Sequence, residues 1–182
     1  MKIMIASDLH GSYYYGKKLF ERFEEEKPAE LILLGDLLYH GARNALPQEY
    51  STIDLTKLLN SYKDRILAVR GNCDAEIDQT VLEFPIMADY LTAWIDGRKW
   101  ILTHGHIYDE HRMLPHNTGD VLLHGHTHVK VLEKVDDFYF VNPGSVSIPK
   151  DGPVQSYGVY EDGTFRLKDV ENGSVLSEMT MA

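Results

Sequence analysis

Short apolar runs alternate with amphipathic stretches in the first half of the chain. Residues 2–7, 30–34 and 65–69 are apolar runs of the length of a buried strand. Between them, residues 15–26 and 52–62 carry leucine, isoleucine and phenylalanine at helical spacing, with charged residues on the intervening positions. This βαβαβ order predicts a parallel sheet with helices packed on it.

The second half of the chain has a different pattern, in which short alternating segments are separated by turn signals. The pairs Asp136-Asp137 and Asp162-Gly163 are two such turns, and they favour antiparallel hairpins. The predicted strands are residues 99–103, 121–124, 129–135, 138–141, 156–160 and 164–169. Together the two halves predict a two-sheet α/β sandwich. Because no repeat or linker interrupts the pattern, we expect a single domain over residues 1–182.

Composition narrows the range of partners. The formal net charge is −10, from 18 basic and 28 acidic residues, which argues against a nucleic-acid-binding face or an anionic membrane as partner. No apolar run approaches the roughly 20 residues that span a bilayer, and the N-terminus lacks the features of a signal peptide. The single cysteine, Cys73, excludes an intrachain disulfide. We therefore expect a cytoplasmic protein, and the sequence leaves open whether it forms a homo-oligomer.

Metal-capable side chains follow five of the predicted strands. In open α/β folds, ligands bind at the carboxyl ends of strands, so these clusters are expected to meet. The clusters are Asp8-Leu9-His10-Gly11, Gly35-Asp36, Gly71-Asn72-Cys73-Asp74, His104-Gly105-His106 and Gly125-His126-Thr127-His128. The glycines beside these side chains allow backbones to approach closely. Residues two apart in an extended chain point the same way, which pairs Asp8 with His10 and His126 with His128.

The side chains in these clusters suit borderline divalent ions such as manganese, iron, zinc or cobalt. Seven candidate ligands exceed the needs of one tetrahedral zinc, so two ions that share a carboxylate explain the number better. Asp36 stands alone after a central strand and is the candidate bridge. Taken singly, an aspartate after a strand is more often a cap or turn residue. The coincidence at five strand ends is what favours a metal site.

In their order along the chain, the five clusters resemble the motifs of the calcineurin-like metallophosphoesterases. The segment Asn142-Pro143-Gly144-Ser145 resembles the small YfcE-type phosphodiesterases of that family. The resemblance implies a four-layer αββα sandwich of two mixed β-sheets flanked by helices. It also implies two divalent ions, with manganese preferred and iron, zinc, nickel, cobalt or magnesium as alternatives. One ion is expected on Asp8, His10, Asp36 and His128, and the other on Asp36, Asn72, His104 and His126.

A hydroxide shared between two such ions is expected to attack the phosphorus of a small phosphodiester. Asn72 could also donate a hydrogen bond to the phosphate, and Arg43 could bind it as a bidentate donor. Many family members carry a histidine at the position of Cys73, so the group that protonates the leaving group is open. His106 is the first candidate for this catalytic role and His40 the second, and each has an ordinary structural role as its alternative.

Two other functions use the same fold. A nuclease would share the chemistry, but the acidic net charge disfavours it. A non-catalytic scaffold is the other alternative, because a retromer subunit has this fold with a degraded metal site; here every expected ligand type is present. Among the neighbouring residues, we expect Cys73 to be a packing residue, and Asp74 to orient a ligating histidine or to cap the next helix.

Overall fold

The computed structural model describes residues 1–181 and contains two mixed β-sheets. The eleven strands within that range are β1 (Ile3–Ala6), β2 (Glu30–Leu33), β3 (Ile66–Ala68), β4 (Tyr90–Ile95), β5 (Arg98–Thr103), β6 (Val121–Leu123), β7 (Lys130–Val135), β8 (Phe138–Pro143), β9 (Ser156–Glu161), β10 (Thr164–Asp169) and β11 (Val175–Thr180). The first sheet has the order β11-β10-β9-β1-β2-β3 and the second has the order β4-β5-β6-β8-β7. In the first sheet β1, β2 and β3 are parallel. In the second, β5, β6 and β8 are parallel.

The two long helices lie where the amphipathic stretches predict them. The helices are α1 (Tyr13–Glu26), α2 (Thr52–Asn60) and the short, unpredicted α3 (Glu76–Gln79), with a 3₁₀ turn at Lys63–Arg65. Helix α1 begins after Ser12, whose hydroxyl accepts a hydrogen bond from the backbone N–H of Tyr15 at 3.3 Å. It ends at Lys27, which adopts the left-handed conformation and donates its N–H to the carbonyl of Phe23.

Alternation along β1 separates two hydrophobic cores. Met4 and Ala6 face α1 and α2, where they pack with Leu19, Phe20 and Leu55. Ile3 and Ile5 face the second sheet and belong to the core between the two sheets. Within that core Trp100 packs against the rings of Tyr160 and Phe165, with centroids 4.8 and 5.0 Å apart. A strand buried on both faces reads as a continuous apolar run, which is why β1 is recognisable in the sequence.

The outer face of the second sheet is covered by a loop segment. Met113 and Leu114 pack there against Ile101, Leu122 and Phe138. Among residues 1–181 the long helices, α1 and α2, both pack in the core on the first sheet. The predicted α/β sandwich of two mixed sheets is thus confirmed, and this loop takes the place of a helical layer on the second sheet.

Two strands and one short helix go beyond the sequence prediction. Strand β4 exposes Tyr90 and Trp94 on one face, and β11 is almost entirely exposed at a sheet edge. In β4 the alternate residues Leu91, Ala93 and Ile95 face the core between the sheets, but the apolar Tyr90 and Trp94 on the other face hide this alternation in the sequence. Strand β11 has no buried face. The two long helices end within two residues of their predicted C-terminal limits. None of the helices within residues 1–181 combines the length and apolar character that crossing a bilayer requires.

Candidate metal centre

Backbone hydrogen bonds join the loops that follow the strands of the two sheets. The N–H of Asp8 donates to the carbonyl of Gly35 at 3.1 Å, and the N–H of His10 donates to the carbonyl of Asp36 at 2.9 Å. In the second sheet, Gly125 donates its N–H to the carbonyl of His104 at 2.8 Å. Between the two sheets, the N–H of Val146 after β8 donates to the carbonyl of Ser7 after β1 at 3.0 Å. These bonds hold strand-end loops from distant parts of the chain in one place. The expected convergence of the clusters is therefore what the structure shows.

Five of the seven predicted ligands adopt a left-handed backbone conformation. They are Asp8, His10, Asp36, His126 and His128, with φ between 49° and 66°. For residues other than glycine, this conformation costs about 1 kcal/mol or more each. The surrounding structure must stabilise such conformations, and they concentrate at functional sites. The backbone thus turns sharply at each of these positions and directs the side chain into the site.

Asp8, His10 and His128 form the first group of donors. The Nε2 atoms of His10 and His128 lie 3.2 Å apart. Oδ1 of Asp8 lies 3.6 Å from Nε2 of His10 and 3.3 Å from Nε2 of His128. The ligand atoms of the three residues all lie within 4.8 Å of one another, and the three side chains are buried. This spacing is compatible with a single shared cation.

His104, Asn72 and His126 form a second group beside the first. Nε2 of His104 lies 3.1 Å from Oδ1 of Asn72. The rings of His104 and His126 have centroids 5.1 Å apart. His104 is fully buried, whereas Asn72 is exposed at the mouth of the site. The group therefore extends from the interior of the sandwich to the solvent.

Asp36 lies between the two groups. Its Oδ2 is 3.6 Å from Nε2 of His10 and 3.4 Å from Nε2 of His104. Its Oδ1 accepts the backbone N–H of Cys73 at 2.8 Å. One oxygen of Asp36 thus lies near a histidine of each group, His10 of the first and His104 of the second. This is the position that a bridging carboxylate requires.

Backbone carbonyls orient three of the imidazoles. Nδ1 of His10 contacts the carbonyl of Tyr39 at 2.8 Å, and Nδ1 of His128 contacts that of Ile148 at 2.7 Å. Nδ1 of His104 contacts the carbonyl of Leu34 at 2.6 Å. A carbonyl only accepts, so each Nδ1 must carry the proton. Nε2 then points into the site, and in the neutral ring it has a free lone pair for a cation.

Asp74 orients a ligand in a way that differs from the prediction. Its carboxylate accepts the backbone N–H groups of Asp36 and Leu37 at 2.8 Å and of Gly71 at 2.7 Å. It contacts neither a histidine ligand nor the start of α3, where Asp78 accepts the N–H of Ala75 instead. Both predicted roles of Asp74 are wrong. It fixes the backbone at Asp36 and joins it to the loop after β3.

Two serines hold the backbone of Asp8. The hydroxyls of Ser145 and Ser147 donate to the carbonyl of Asp8 at 2.8 and 2.9 Å. Ser145 is the last residue of the Asn142-Pro143-Gly144-Ser145 segment, so this motif supports the predicted ligand Asp8, and Ser147 is a residue that the sequence analysis missed. The motif's match to the family was the signal that could have indicated their role.

Glycine is required where the loops touch the carboxylates. A Cβ atom on Gly71 would lie 2.1 Å from Oδ1 of Asp36 and 2.3 Å from its backbone nitrogen. A Cβ atom on Gly125 would lie 1.9 Å from Oγ of Ser7 and 2.8 Å from Oδ2 of Asp8. Neither position tolerates a side chain without displacing a predicted ligand.

Protons balance the carboxylates in the metal-free protein. Burial opposes ionisation of Asp8, but His10 and His128 hold the pKa of its carboxyl well below the usual range. Burial lowers the pKa of His104, but Asp36 and the charge of Asp8 raise it more, to about 9. The pKa of His10 is raised in the same way, against burial, by Asp8. The cluster therefore has a strong preference for positive charge.

A cavity of about 500 Å³ opens above these residues. Five of the predicted ligands line its floor, namely His10, Asp36, Asn72, His126 and His128. Predicted residue Arg43 lines the wall, together with Lys150, which the sequence analysis missed because nothing marks a lysine in a loop as functional. The cavity joins the candidate metal centre to solvent.

The remaining candidates lie around this cavity. The ring centroid of His106 lies 5.4 Å from that of His104 and 6.2 Å from that of His126. Its Nδ1 is buried and has no hydrogen-bond partner among residues 1–181. Cys73 lines the cavity, whereas His40 packs against Tyr39 and Tyr50 outside it. Burial, followed by the negative charge of Asp36, raises the pKa of the Cys73 thiol to about 12. Such a thiol is a poor nucleophile at neutral pH.

Comparison with known proteins identifies the family. The model of the calcineurin-like phosphoesterase superfamily domain matches residues 1–163. The chain belongs to the calcineurin-like phosphoesterase superfamily. It is 39% identical to phosphodiesterase YfcE of Escherichia coli over 181 residues, which cover 100% of this chain and 98% of that protein. It is 30% identical to phosphodiesterase MJ0936 of Methanocaldococcus jannaschii over 151 residues, 79% of this chain and 83% of that protein.

Solved structures of the superfamily agree with this assignment. The structure of the E. coli phosphoesterase YfcE matches with a TM-score of 0.98 at 38% identity and covers 100% of both chains. Vps29 of Entamoeba histolytica, solved with zinc, has a TM-score of 0.63 at 21% identity and covers 100% of both chains, which shows the fold alone. The prediction of an enzyme that hydrolyses phosphoric esters is confirmed by the family and by its full-length relatives.

Proposed function

We propose that this enzyme is a phosphodiesterase that acts on small phosphodiesters with two divalent metal ions. The observation that carries the proposal is the place of Asp36, whose Oδ2 lies within 3.6 Å of an imidazole nitrogen from each donor group. The relatives named as phosphodiesterases support the reaction type. Manganese is the ion that we expect to support activity best, and a cytoplasmic location remains a prediction.

The residues fit such ions because they offer oxygen and nitrogen donor atoms and because one buried carboxylate oxygen lacks a partner. Oδ1 of Asp8 is buried and has no hydrogen-bond partner within residues 1–181, a costly state unless a cation is its partner. Asp8, His10, Asp36 and His128 would hold one ion. Asp36, Asn72, His104 and His126 would hold the other. When bound, the ions would lower the pKa of a water molecule and offset the charge of the phosphate oxygens.

The protein's own groups would position the diester. The Asn72 amide lies at the mouth of the site and has an N–H group to donate to a phosphate oxygen. Arg43 lines the same cavity, and its planar guanidinium suits two phosphate oxygens. Because the cavity measures about 500 Å³, it fits a small diester better than a polymer.

Protonation of the leaving group limits the range of substrates. Burial, followed by the nearby imidazoles of His104 and His126, lowers the pKa of His106 to about 4. At neutral pH its ring is therefore neutral and holds no proton that an imidazolium would donate. We retain His106 as a candidate catalytic residue that accepts a hydrogen bond. On this basis, diesters of acidic alcohols such as nitrophenol should be better substrates than alkyl diesters, because their leaving groups need no proton.

A non-catalytic scaffold is the competing function, since Vps29 shares the fold. In this chain all seven predicted ligand residues are present, and their side chains lie together. A nuclease would need a basic surface that the net charge of −10 opposes.

Metal analysis combined with an aryl diester assay tests the proposal. The protein loaded with manganese should hydrolyse bis(4-nitrophenyl) phosphate and contain two ions per chain. Asp36→Asn and His126→Ala should each abolish hydrolysis and lower the metal content, with unchanged circular dichroism. Ser61→Ala, at the end of α2 and outside the cavity, is the control and should keep full activity. Normal activity of either ligand variant would contradict the assignment, and failure of the wild type on every diester would favour the scaffold.

A further inference from the structure

Two positively charged side chains, Arg43 and Lys150, line the cavity above the candidate metal centre. They come from distant parts of the chain: Arg43 follows β2, and Lys150 follows β8. Asp36 is the only carboxylate among the residues lining this cavity in the described part of the chain, and it belongs to the predicted ligands. The protein has a net charge of −10, so a cavity wall with two positively charged side chains differs in sign from the protein as a whole.

Lys150 is attached to the metal centre through its backbone. Its N–H donates to the carbonyl of His128 at 3.1 Å. Two residues earlier, the carbonyl of Ile148 accepts the Nδ1 proton of the same histidine at 2.7 Å. Residues 148–150 thus make hydrogen bonds to both the backbone and the side chain of His128, a predicted ligand. The Cα of Lys150 is held close to the centre, although the side chain is exposed to solvent.

The acidic neighbour that could neutralise Lys150 is already paired. Asp151 accepts a hydrogen bond from Nζ of Lys130 at 2.7 Å and from the backbone N–H of Lys130 at 2.9 Å. No ion pair of Lys150 or of Arg43 occurs within residues 1–181. Both cations therefore keep their charge available to a ligand in the cavity.

Arg43 lies on the side of the cavity formed by the loop after β2. Asn44 closes this loop, because its side chain donates to the carbonyl of His40 at 2.8 Å. A Cβ atom on Gly41 would lie 3.4 Å from Sγ of Cys73, so the loop packs beside Asn72-Cys73. Lys150 instead lies beside His128 of the first group, whose carbonyl accepts its N–H at 3.1 Å. The two cations are thus associated with opposite donor groups of the centre.

We propose that Lys150 selects diesters that carry a second anionic group, a carboxylate or phosphate, on the alcohol that remains attached to phosphorus. This inference rests on the proposed function and specifies its substrate class. A diester phosphate has one negative charge, which the ions and Arg43 would meet. Lys150 then remains for a charge elsewhere on the substrate. A cationic alcohol such as choline would be disfavoured at the same position.

Three 4-nitrophenyl phosphodiesters test this selection, with ethyl, carboxymethyl and choline as the second ester group. They share one leaving group, so differences in kcat/KM report on the second group. The manganese-loaded wild type should prefer the carboxymethyl ester. Lys150→Gln should lower the carboxymethyl-to-ethyl ratio of kcat/KM about fivefold through KM, the upper range for a solvent-exposed ion pair. Lys150→Arg should retain the ratio, and added salt should reduce it in the wild type.

Lys57→Gln is the matched control, because it removes the same charge from α2, away from this cavity. Its ratio should equal that of the wild type. Equal losses on all three esters in Lys150→Gln would show that Lys150 contacts the scissile phosphate, and would overturn the inference alone. An unchanged ratio would overturn it as well. No hydrolysis of any ester by the metal-loaded wild type would overturn the proposed function, and the inference with it.

Discussion

Both ends of β1 carry buried or half-buried carboxylates, but they are neutralised in different ways. At its amino end, Lys2 contacts Glu26 at 3.2 Å and Glu161 at 3.4 Å, and Lys168 contacts Glu26 as well. At its carboxyl end, Asp8 lies among imidazoles, and its Oδ1 has no hydrogen-bond partner in the described part of the chain. The first end has its own fixed cations. The second has groups that bind either a proton or a metal ion.

The two ends of β1 also differ in backbone conformation. Lys2 and Glu26 have ordinary conformations, whereas Asp8 and His10 have φ of 59° and 49°. At the carboxyl end the strain of about 1 kcal/mol per residue falls on the candidate functional residues themselves, whereas at the amino end the left-handed Lys27, with φ of 51°, only ends helix α1. The amino end therefore contributes to stability, and the carboxyl end uses stability from elsewhere to hold an arrangement that favours a cation. This difference predicts that substitutions at the two ends should separate metal binding from folding.

Among substitutions outside the predicted ligands, the largest effect is expected from Gly71→Ala. Its Cβ would overlap Asp36, whose Oδ1 would be 2.1 Å away, so the carboxylate must move. A displacement of this kind should lower kcat/KM by about 100-fold or more, together with the manganese content. Activity and metal content measured on the same preparation check this. Gly158→Ala is the control, because its Cβ would meet Ile5 at an ordinary 3.5 Å. Full metal binding by Gly71→Ala would contradict the assigned position of Asp36.

Metal binding itself should depend strongly on pH. The imidazoles must be neutral to bind an ion, but the pKa of His104 is about 9 and that of His10 is also raised. Binding near pH 7 should therefore release protons. The apparent affinity for manganese should rise as pH increases, by up to about tenfold per pH unit for each proton released, and level off above about pH 9. Calorimetry in buffers of different ionisation enthalpy measures the release. An affinity that is constant between pH 6 and 9 would contradict the inference that these imidazoles are protonated in the metal-free protein.

Much of this candidate site could be predicted because the predicted ligands follow strands that the sequence pattern locates. The apolar runs locate the strand ends, and convergence of those ends brings Asp8, Asp36 and His104 together. The supporting contacts could not be read from the sequence. Asp74 accepts backbone N–H groups, and Ser145 donates to a backbone carbonyl, so neither interaction depends on a recognisable pair of side chains. Lys150 was missed for the same reason.

At the other end of β1, Glu26→Gln should change stability without changing the site. Burial opposes ionisation of Glu26, but Lys168 and Lys2 lower the pKa of its carboxyl below the ordinary 4.5. Its contribution, about 1–2 kcal/mol for a partly buried cluster, is present above pH 4.5 and is lost as pH falls through the lowered pKa. Urea unfolding of the metal-free wild type and variant at a series of pH values should show the full difference at pH 7 and a smaller difference as pH falls below 4.5. A loss of manganese affinity in this variant would mean that the two ends are coupled.

The smallest effect is expected from Cys73→Ser, although Cys73 lies inside the cavity. The contribution of this residue to the centre is its backbone N–H, which donates to Oδ1 of Asp36 at 2.8 Å, and serine keeps that group. The thiol has its pKa raised to about 12, so it carries no charge for catalysis at neutral pH. We expect kcat/KM on bis(4-nitrophenyl) phosphate to stay within about threefold of the wild type, as for a substitution without a strong side-chain interaction. A total loss would show that Sγ itself acts at the carboxyl end of β1, whose function would then depend on more than imidazoles and carboxylates.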